Sequence, residues 1–186
     1  MQTARIDKTK NWTVEDYLLL GEMTTPCQLI NGELIMSPAP TPYHQQVLSN
    51  LNDFLKTAAK EAGGRVYFSP IDLFINEKNV VQPDLLFLSK GKLSFVKRRG
   101  IDGAPDLIVE ILSPSNIFTD RNTKMEKYFE FGVDEFWIID PGNKTLEIYL
   151  RGQSNPAVPY LYLAEEGKVT STVLKNMEFD LKEIFN

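Results

Sequence analysis

Apolar and polar positions along this chain repeat in blocks, and the period switches between that of a helix and that of a strand. Val47, Leu51, Leu55 and Ala58 recur at helical spacing, which predicts the longest amphipathic helix of the protein. Thr41 before it suits the N-cap, and Pro42 suits the first helical position, where its missing N–H costs nothing. Gly63-Gly64 ends the helix. Val66–Ile75 then alternates like a half-buried strand interrupted by Pro70. Val80–Leu88 reads as another strand, with Pro83 marking an edge or a bulge. Asp106–Leu112 is apolar at almost every position and predicts a buried central strand. A helix from Thr119 or Asp120 to Phe131 closes on Gly132, a favoured residue just past a helix end.

The flanks follow the same grammar. Thr13 and Asp16 have capping-box spacing and open a short helix. Gln28–Ile30 and Glu33–Met36 are strand-like runs joined by Asn31-Gly32, a strong hairpin signal. Glu135–Asp140 stops at Pro141-Gly142 and pairs with Thr145–Leu150. Strands at Tyr160–Leu163 and Val169–Val173 and a short helix at Leu181–Phe185 complete the chain. No linker or repeat interrupts residues 1–186, so one domain is expected. It is of the α/β (α+β) class, a mixed β-sheet flanked by helices with an extra N-terminal hairpin and C-terminal strands.

Composition narrows the chemistry. The single cysteine, Cys27, rules out an internal disulfide framework and a cysteine-clustered zinc or iron–sulfur site, and reads as a buried thiol. The single histidine, His44, rules out a multi-histidine metal centre within one chain. The apolar runs are far too short to cross a bilayer, and the N-terminus lacks the apolar core of a secretory signal. A soluble, cytoplasmic protein is expected, with no membrane partner. A net charge of −5 argues against a general electrostatic grip on nucleic acid and leaves room for a local basic strip. The link Lys90–Arg99 holds five cations with Phe95 among them. Such a run is usually a solvated loop, though it could contact phosphates.

Glu110 stands out because it lies between Val109 and Ile111 in the most apolar strand. A carboxylate buried there is neutral, paired or bound to a metal. At a metal site shared with a second carboxylate, neutralisation to glutamine would leave stability unchanged or raised, because it relieves desolvation and like-charge repulsion; a structural ion pair would lose roughly 3–5 kcal/mol when broken. Asp84, after Pro83, supplies a second carboxylate at a separation that suits neighbouring strands. Carboxylates sharing a face there could hold one hard cation. Asp106 lies only four residues before Glu110, roughly 13 Å along an extended strand, and reads as punctuation at the strand start. Lys124 and Arg121 fall in the opening turns of the following helix, where cations oppose the helix dipole unless an anion docks nearby. Lys124 is four residues before Tyr128 and borders the inward stripe. Glu33 beside the Asn-Gly turn means little alone. His44 falls at a helix N-terminus that favours neutral imidazole, able to bind metal or accept a proton; a lone histidine there is more often a cap or packing residue.

Together these segments resemble the Uma-type family of restriction endonucleases, within the PD-(D/E)xK nuclease-like superfamily. The resemblance rests on Leu29-Ile-Asn-Gly-Glu-Leu34, Ser37-Pro38 followed by His44, and Val81-Gln-Pro-Asp-Leu85. It rests further on Gly103-Ala-Pro-Asp-Leu-Ile-Val-Glu-Ile-Leu-Ser-Pro-Ser115, Asp120-Arg121, Lys124, Tyr128, Gly132–Trp137 and Asp140-Pro141. It implies a restriction-endonuclease-like fold and Mg²⁺-dependent (or Mn²⁺-dependent) hydrolysis, with DNA as the substrate, at a site built from Asp84, Glu110 and Lys124. Glu33 would join the two carboxylates at the metal, with His44 and Arg121 as accessory candidates and a homodimer as the assembly. Leu112 occupies the position of the superfamily's lysine, a role the resemblance passes to Lys124. Gln28 stands where relatives often carry an acid. Two other readings remain open: a non-catalytic nucleic-acid-binding or protein-interaction module on the same fold, and a carboxylate-pair glycoside hydrolase using Glu33 and Glu110.

Overall fold

Prolines mark the places where the chain passes from one sheet to another. The computed structural model describes residues 9–21, 26–36, 38–113 and 123–186. The run read as one strand around Pro70 is two, β3 (Arg65–Phe68) and β4 (Leu73–Asn76), and the run around Pro83 is likewise two, β5 (Asn79–Val81) and β6 (Leu85–Leu88). In each case the halves belong to different sheets. Proline has no N–H for a ladder, so the strand ends there and the chain is free to turn.

The first sheet has six strands in the order β2-β1-β5-β4-β8-β7, adding β1 (Cys27–Ile30), β2 (Glu33–Met36), β7 (Val96–Lys97) and β8 (Gly100–Ile101) to β4 and β5. The β1–β2 turn is formed by Asn31 and Gly32, both at positive φ, as a tight hairpin of this type requires. The helix α1 (Val14–Leu19) starts on the expected Thr13–Asp16 capping box. Trp12 and Tyr17 pack with Cys27, Leu29 and Val80 in a small core of their own.

The second sheet holds the main core, in the order β12-β11-β10-β9-β6-β3. Its central strand β9 (Leu107–Ile111) runs parallel to β10 (Glu135–Asp140) and antiparallel to β6. Beyond β10 lie β11 (Thr145–Leu150) and β12 (Leu161–Ala164), each antiparallel to its neighbour. On one face Leu85, Phe87, Leu107, Val109, Ile111, Trp137 and Ile139 meet α2 (Pro42–Glu61) through Val47, Leu51, Leu55 and Ala58. Thr41 caps that helix by accepting from His44 N at 3.2 Å, with Pro42 at its first position. On the other face Leu86, Ile108, Leu112, Phe136 and Ile138 pack with Tyr128 of α3 (Met125–Phe131) and with Leu73, Val81 and Ile101 of the first sheet.

The basic link is more ordered than a polar loop: Leu93 and Phe95 dip into the second core from a 3₁₀ turn, and β7–β8 forms a hairpin. The C-terminal part adds β13 (Lys168–Thr170) and β14 (Glu178–Asp180), followed by a 3₁₀ turn over Leu181–Ile184. Val169, Phe179, Leu181 and Ile184 complete the core under α2. Asn50 of α2 donates to the carbonyls of Ile184 and Asn186. Thr172 donates to Glu135, a fully buried carboxylate that also accepts from Trp137 Nε1. No helix among the described residues is long and apolar enough to cross a membrane.

Leu51 has no exposed surface and lies midway along the α2 contact with the sheet. Truncating such a residue removes apolar packing and leaves a cavity. Leu51→Ala is expected to lower unfolding free energy by about 3 kcal/mol. Urea titration should show a lower midpoint with an unchanged slope.

Candidate active site

Glu110 is buried to 2% exposure in the middle of the second sheet, on the face covered by α3. Its Oε1 accepts from Tyr128 Oη at 2.6 Å and lies 3.1 Å from Lys124 Nζ. Lys124 is itself only 3% exposed. Residues four apart share a helix face, and the described chain is helical in φ and ψ at Lys124, where α3 begins. One turn of helix therefore delivers an ammonium and a phenol to the same carboxylate oxygen. The spacing of Lys124 and Tyr128 was visible in the sequence, but the hydrogen bond from Tyr128 was not, because an aromatic on an inward stripe reads as packing.

Asp84 reaches the same place from β6. Leu85 pairs with Val109 and Leu86 with Ile108, and this register carried one step further sets Asp84 opposite Glu110. The strands are thus neighbours, with Asp84 and Glu110 at facing positions. Pairing on β6 starts only at Leu85, so the N–H of Ile111 lies beyond the ladder. A buried N–H needs a partner, and Asp84 Oδ2 accepts it at 2.7 Å. Asp84 is thereby drawn over the end of β9, toward the peptide between Glu110 and Ile111. Its backbone carbonyl accepts from Ser69 N, which ties it to the crossing at Pro70.

His44 arrives from the opposite layer. Its Nε2 lies 3.4 Å from Asp84 Oδ2 and 3.1 Å from the carbonyl of Ile111. The histidine that caps the sheet end from α2 thus meets an aspartate that leans over from β6, and the site spans both faces of the sheet.

The other sequence candidates separate from this cluster. Glu33 is exposed on β2, opposite Ile30, and forms no hydrogen bond or ion pair with Asp84 or Glu110. Arg121 lies outside the described residues, as does the start of the helix expected at Thr119 or Asp120. Asp106 accepts from Ser89 N at 2.6 Å and pairs with Lys92 at 3.1 Å, which makes it a fastening of the strand start. Gln28 Oε1 accepts from Gln82 N, bracing the segment that leads to Asp84. Cys27 is buried, and burial pushes its thiol pKa up.

Sequence reasoning passed over two further buried acids, Glu135 and, in the row of Glu110, Glu147. Ile138 pairs with Glu110 on one side and with Glu147 on the other, so both carboxylates belong to one row across the sheet. Glu147 accepts from Tyr149 Oη at 2.5 Å. Two-residue alternation in β11 was the available signal: Glu147 and Tyr149 fall on one face, between Leu146, Ile148 and Leu150 on the other.

Among the described residues no three His, Cys, Asp or Glu side chains form a group that could enclose an ion. The arrangement fits a different kind of metal binding. Mg²⁺ is commonly held by one or two carboxylates, with water and substrate phosphate completing its shell. Asp84, Glu110 and the Ile111 carbonyl are hard oxygen donors of that type.

A family model described as "Uma2: Putative restriction endonuclease" matches residues 14–182. Among solved structures the chain is similar to "a putative nuclease belonging to DUF820" from Anabaena variabilis ATCC 29413. The TM-score is 0.76 and the identity 20%, over 93% of this chain and 97% of that one. At that identity the likeness establishes the fold. No curated protein matches the chain.

The contact with Lys124 reverses the expected effect of neutralising Glu110. Glu110→Gln leaves a buried ammonium without its counter-charge and should cost about 3 kcal/mol. The double variant Glu110→Leu/Lys124→Met should lose less than either single change, because no charge is left stranded. Urea unfolding of wild type, Glu110→Gln, Glu110→Leu, Lys124→Met and the double variant reads this coupling; a Glu110→Gln protein as stable as wild type would refute it.

Proposed function

The chain belongs to the Uma2 family, and on that premise we propose that it is a metal-dependent endonuclease that hydrolyses DNA phosphodiester bonds at the Asp84–Glu110–Lys124 cluster. The observation that carries this reading is the delivery of Lys124 to Glu110, at the strand end over which Asp84 leans. Leu112 occupies the place where the superfamily's lysine would stand. It is instead packed in the apolar core, and the ammonium comes from the next helix.

Each residue has a task set by its surroundings. Asp84 and Glu110 supply negative oxygen donors for a divalent cation. Bound there, such a cation would neutralise phosphate charge and lower the pKa of a coordinated water. The Ile111 N–H fixes the direction of the Asp84 carboxylate, and Tyr128 fixes that of Glu110. Lys124 holds a positive charge where negative charge develops on the attacking water and the phosphoryl oxygens, and its position is already set before substrate arrives. His44, on Asp84 and the Ile111 carbonyl, is suited to hold a proton at Nε2 and orient the aspartate. A homodimer would bring two such sites to the two strands of a duplex.

A non-catalytic module on the same fold is favoured by one observation: Lys124 and Tyr128 both already satisfy Glu110 Oε1. The glycoside-hydrolase reading has no carboxylate pair, since Glu33 does not meet Glu110.

Asp84 is partly exposed and, among the described residues, is not ion-paired to a lysine or arginine. Asp84→Asn therefore tests the chemistry with the least disturbance of the core. Supercoiled plasmid is expected to be nicked by wild type with Mg²⁺ or Mn²⁺ and spared when a chelator is present. Asp84→Asn and Lys124→Met should slow nicking by on the order of a hundredfold or more. A wild-type protein that cuts no DNA with either metal would favour the module, and one that cuts equally well in chelator would exclude the metal.

A further inference from the structure

The β7–β8 hairpin carries Lys97, Arg98 and Arg99 in succession, all exposed. Among the described residues none of the three has a carboxylate within salt-bridge distance. Lys97 Nζ donates to the Ser94 carbonyl and Arg99 Nη1 to the Leu18 carbonyl, so both lean on backbone oxygens rather than on a carboxylate. In a chain of net charge −5, three adjacent unneutralised cations are a local exception.

These cations overhang a groove of about 790 Å³ between the two sheets. Its walls include Tyr67, Pro70 and Gln82. Tyr67 lies on β3 and packs against the core that surrounds Glu110. Pro70 follows Ser69, which donates to Asp84, and Gln82 is two residues before Asp84. The groove thus runs up to the segment that places the candidate site. Among the described residues Asp72 is the one carboxylate in its lining, and it already accepts from Tyr17 Oη at 2.9 Å and Gln82 Nε2 at 2.8 Å.

The basic turn is also fixed in place. Gly100 has φ +151°, and a Cβ there would stand 2.3 Å from the Asp72 carbonyl. Only glycine permits this approach. It is locked by the bond from Ile101 N to the same carbonyl at 2.8 Å.

We infer that this groove binds one unpaired nucleic-acid strand, with Arg98 and Arg99 on its phosphates and Tyr67 available for stacking by a base. Cations that follow the backbone beside an aromatic surface are how single strands are held without sequence preference. The inference deepens the nuclease reading, because it supplies the path by which a strand reaches Asp84 and Glu110.

The test is fluorescence anisotropy of labelled oligothymidylate with the full chain in chelator, repeated over a range of salt. Wild type should bind. Arg98→Ala/Arg99→Ala should bind about tenfold more weakly, with a salt slope shallower by about 1.4, or about 0.7 for each single-strand phosphate no longer neutralised. Arg98→Lys/Arg99→Lys should recover most of the affinity, and all three proteins should melt alike. An alanine variant with wild-type affinity and slope would overturn the inference. So would no binding by wild type, or tighter binding of a duplex that depends on the same arginines. Plasmid nicking separates this from the nuclease reading. Arginine-dependent binding without cleavage by wild type keeps the groove and removes the nuclease; cleavage with arginine-independent binding does the reverse.

Discussion

A carboxylate placed near the end of a dry central strand must be compensated, and the ion pair of Glu110 with Lys124 determines much of what surrounds it. Both groups are almost entirely removed from water, so each would carry a large desolvation cost without the other. To satisfy Glu110, α3 has to begin where Lys124 can reach the strand end and must keep Tyr128 one turn further on. Tyr128 is tilted against Phe136 with ring centres 5.4 Å apart, so the helix that serves the charge also packs the parallel strand β10. The apolar core and the polar cluster are one constraint expressed twice.

The elements with strong local signals were legible in the sequence. The Thr41-Pro42 start of α2, the Thr13–Asp16 box and the Asn31-Gly32 turn are written in residues whose conformational preferences hold in isolation. What could not be read was pairing between distant segments. Val80–Leu88 looked like one strand because its apolar pattern is continuous, whereas Pro83 hands the chain from one sheet to the other. The cluster was legible in part for the same reason. Glu110 was conspicuous as a charge in an apolar run, and Lys124 lay on the inward stripe of its helix. The place of His44 beside Asp84 comes from α2 crossing the end of β9, which no local spacing encodes. Glu147 escaped notice because alternation alone does not tell which face of β11 is covered.

Net charge was a poor guide to where charge acts. The sum is negative, yet the acids nearest the core are engaged by donors: Glu110 by Lys124 and Tyr128, Glu135 by Trp137 and Thr172, Glu147 by Tyr149. A polyanion approaching the groove meets the unneutralised basic turn before it meets these buried carboxylates. Over a Debye length of about 8 Å at physiological salt, such local arrangement matters more than the total.

The packing of the C-terminal segment beneath α2 has a bearing on how the protein is made. Val169, Leu174, Met177, Phe179, Leu181 and Ile184 share one core with residues of a helix that begins at Pro42. On a ribosome adding about 5–20 residues each second, that helix leaves the exit tunnel seconds before its last packing partners are synthesised. Until those partners emerge the apolar stripe of α2 lacks the cover that later closes its flank, and Glu135, once made, waits for Thr172. The nascent chain therefore passes through a state with an open hydrophobic seam, closed only when the last residues of that shared core are in place.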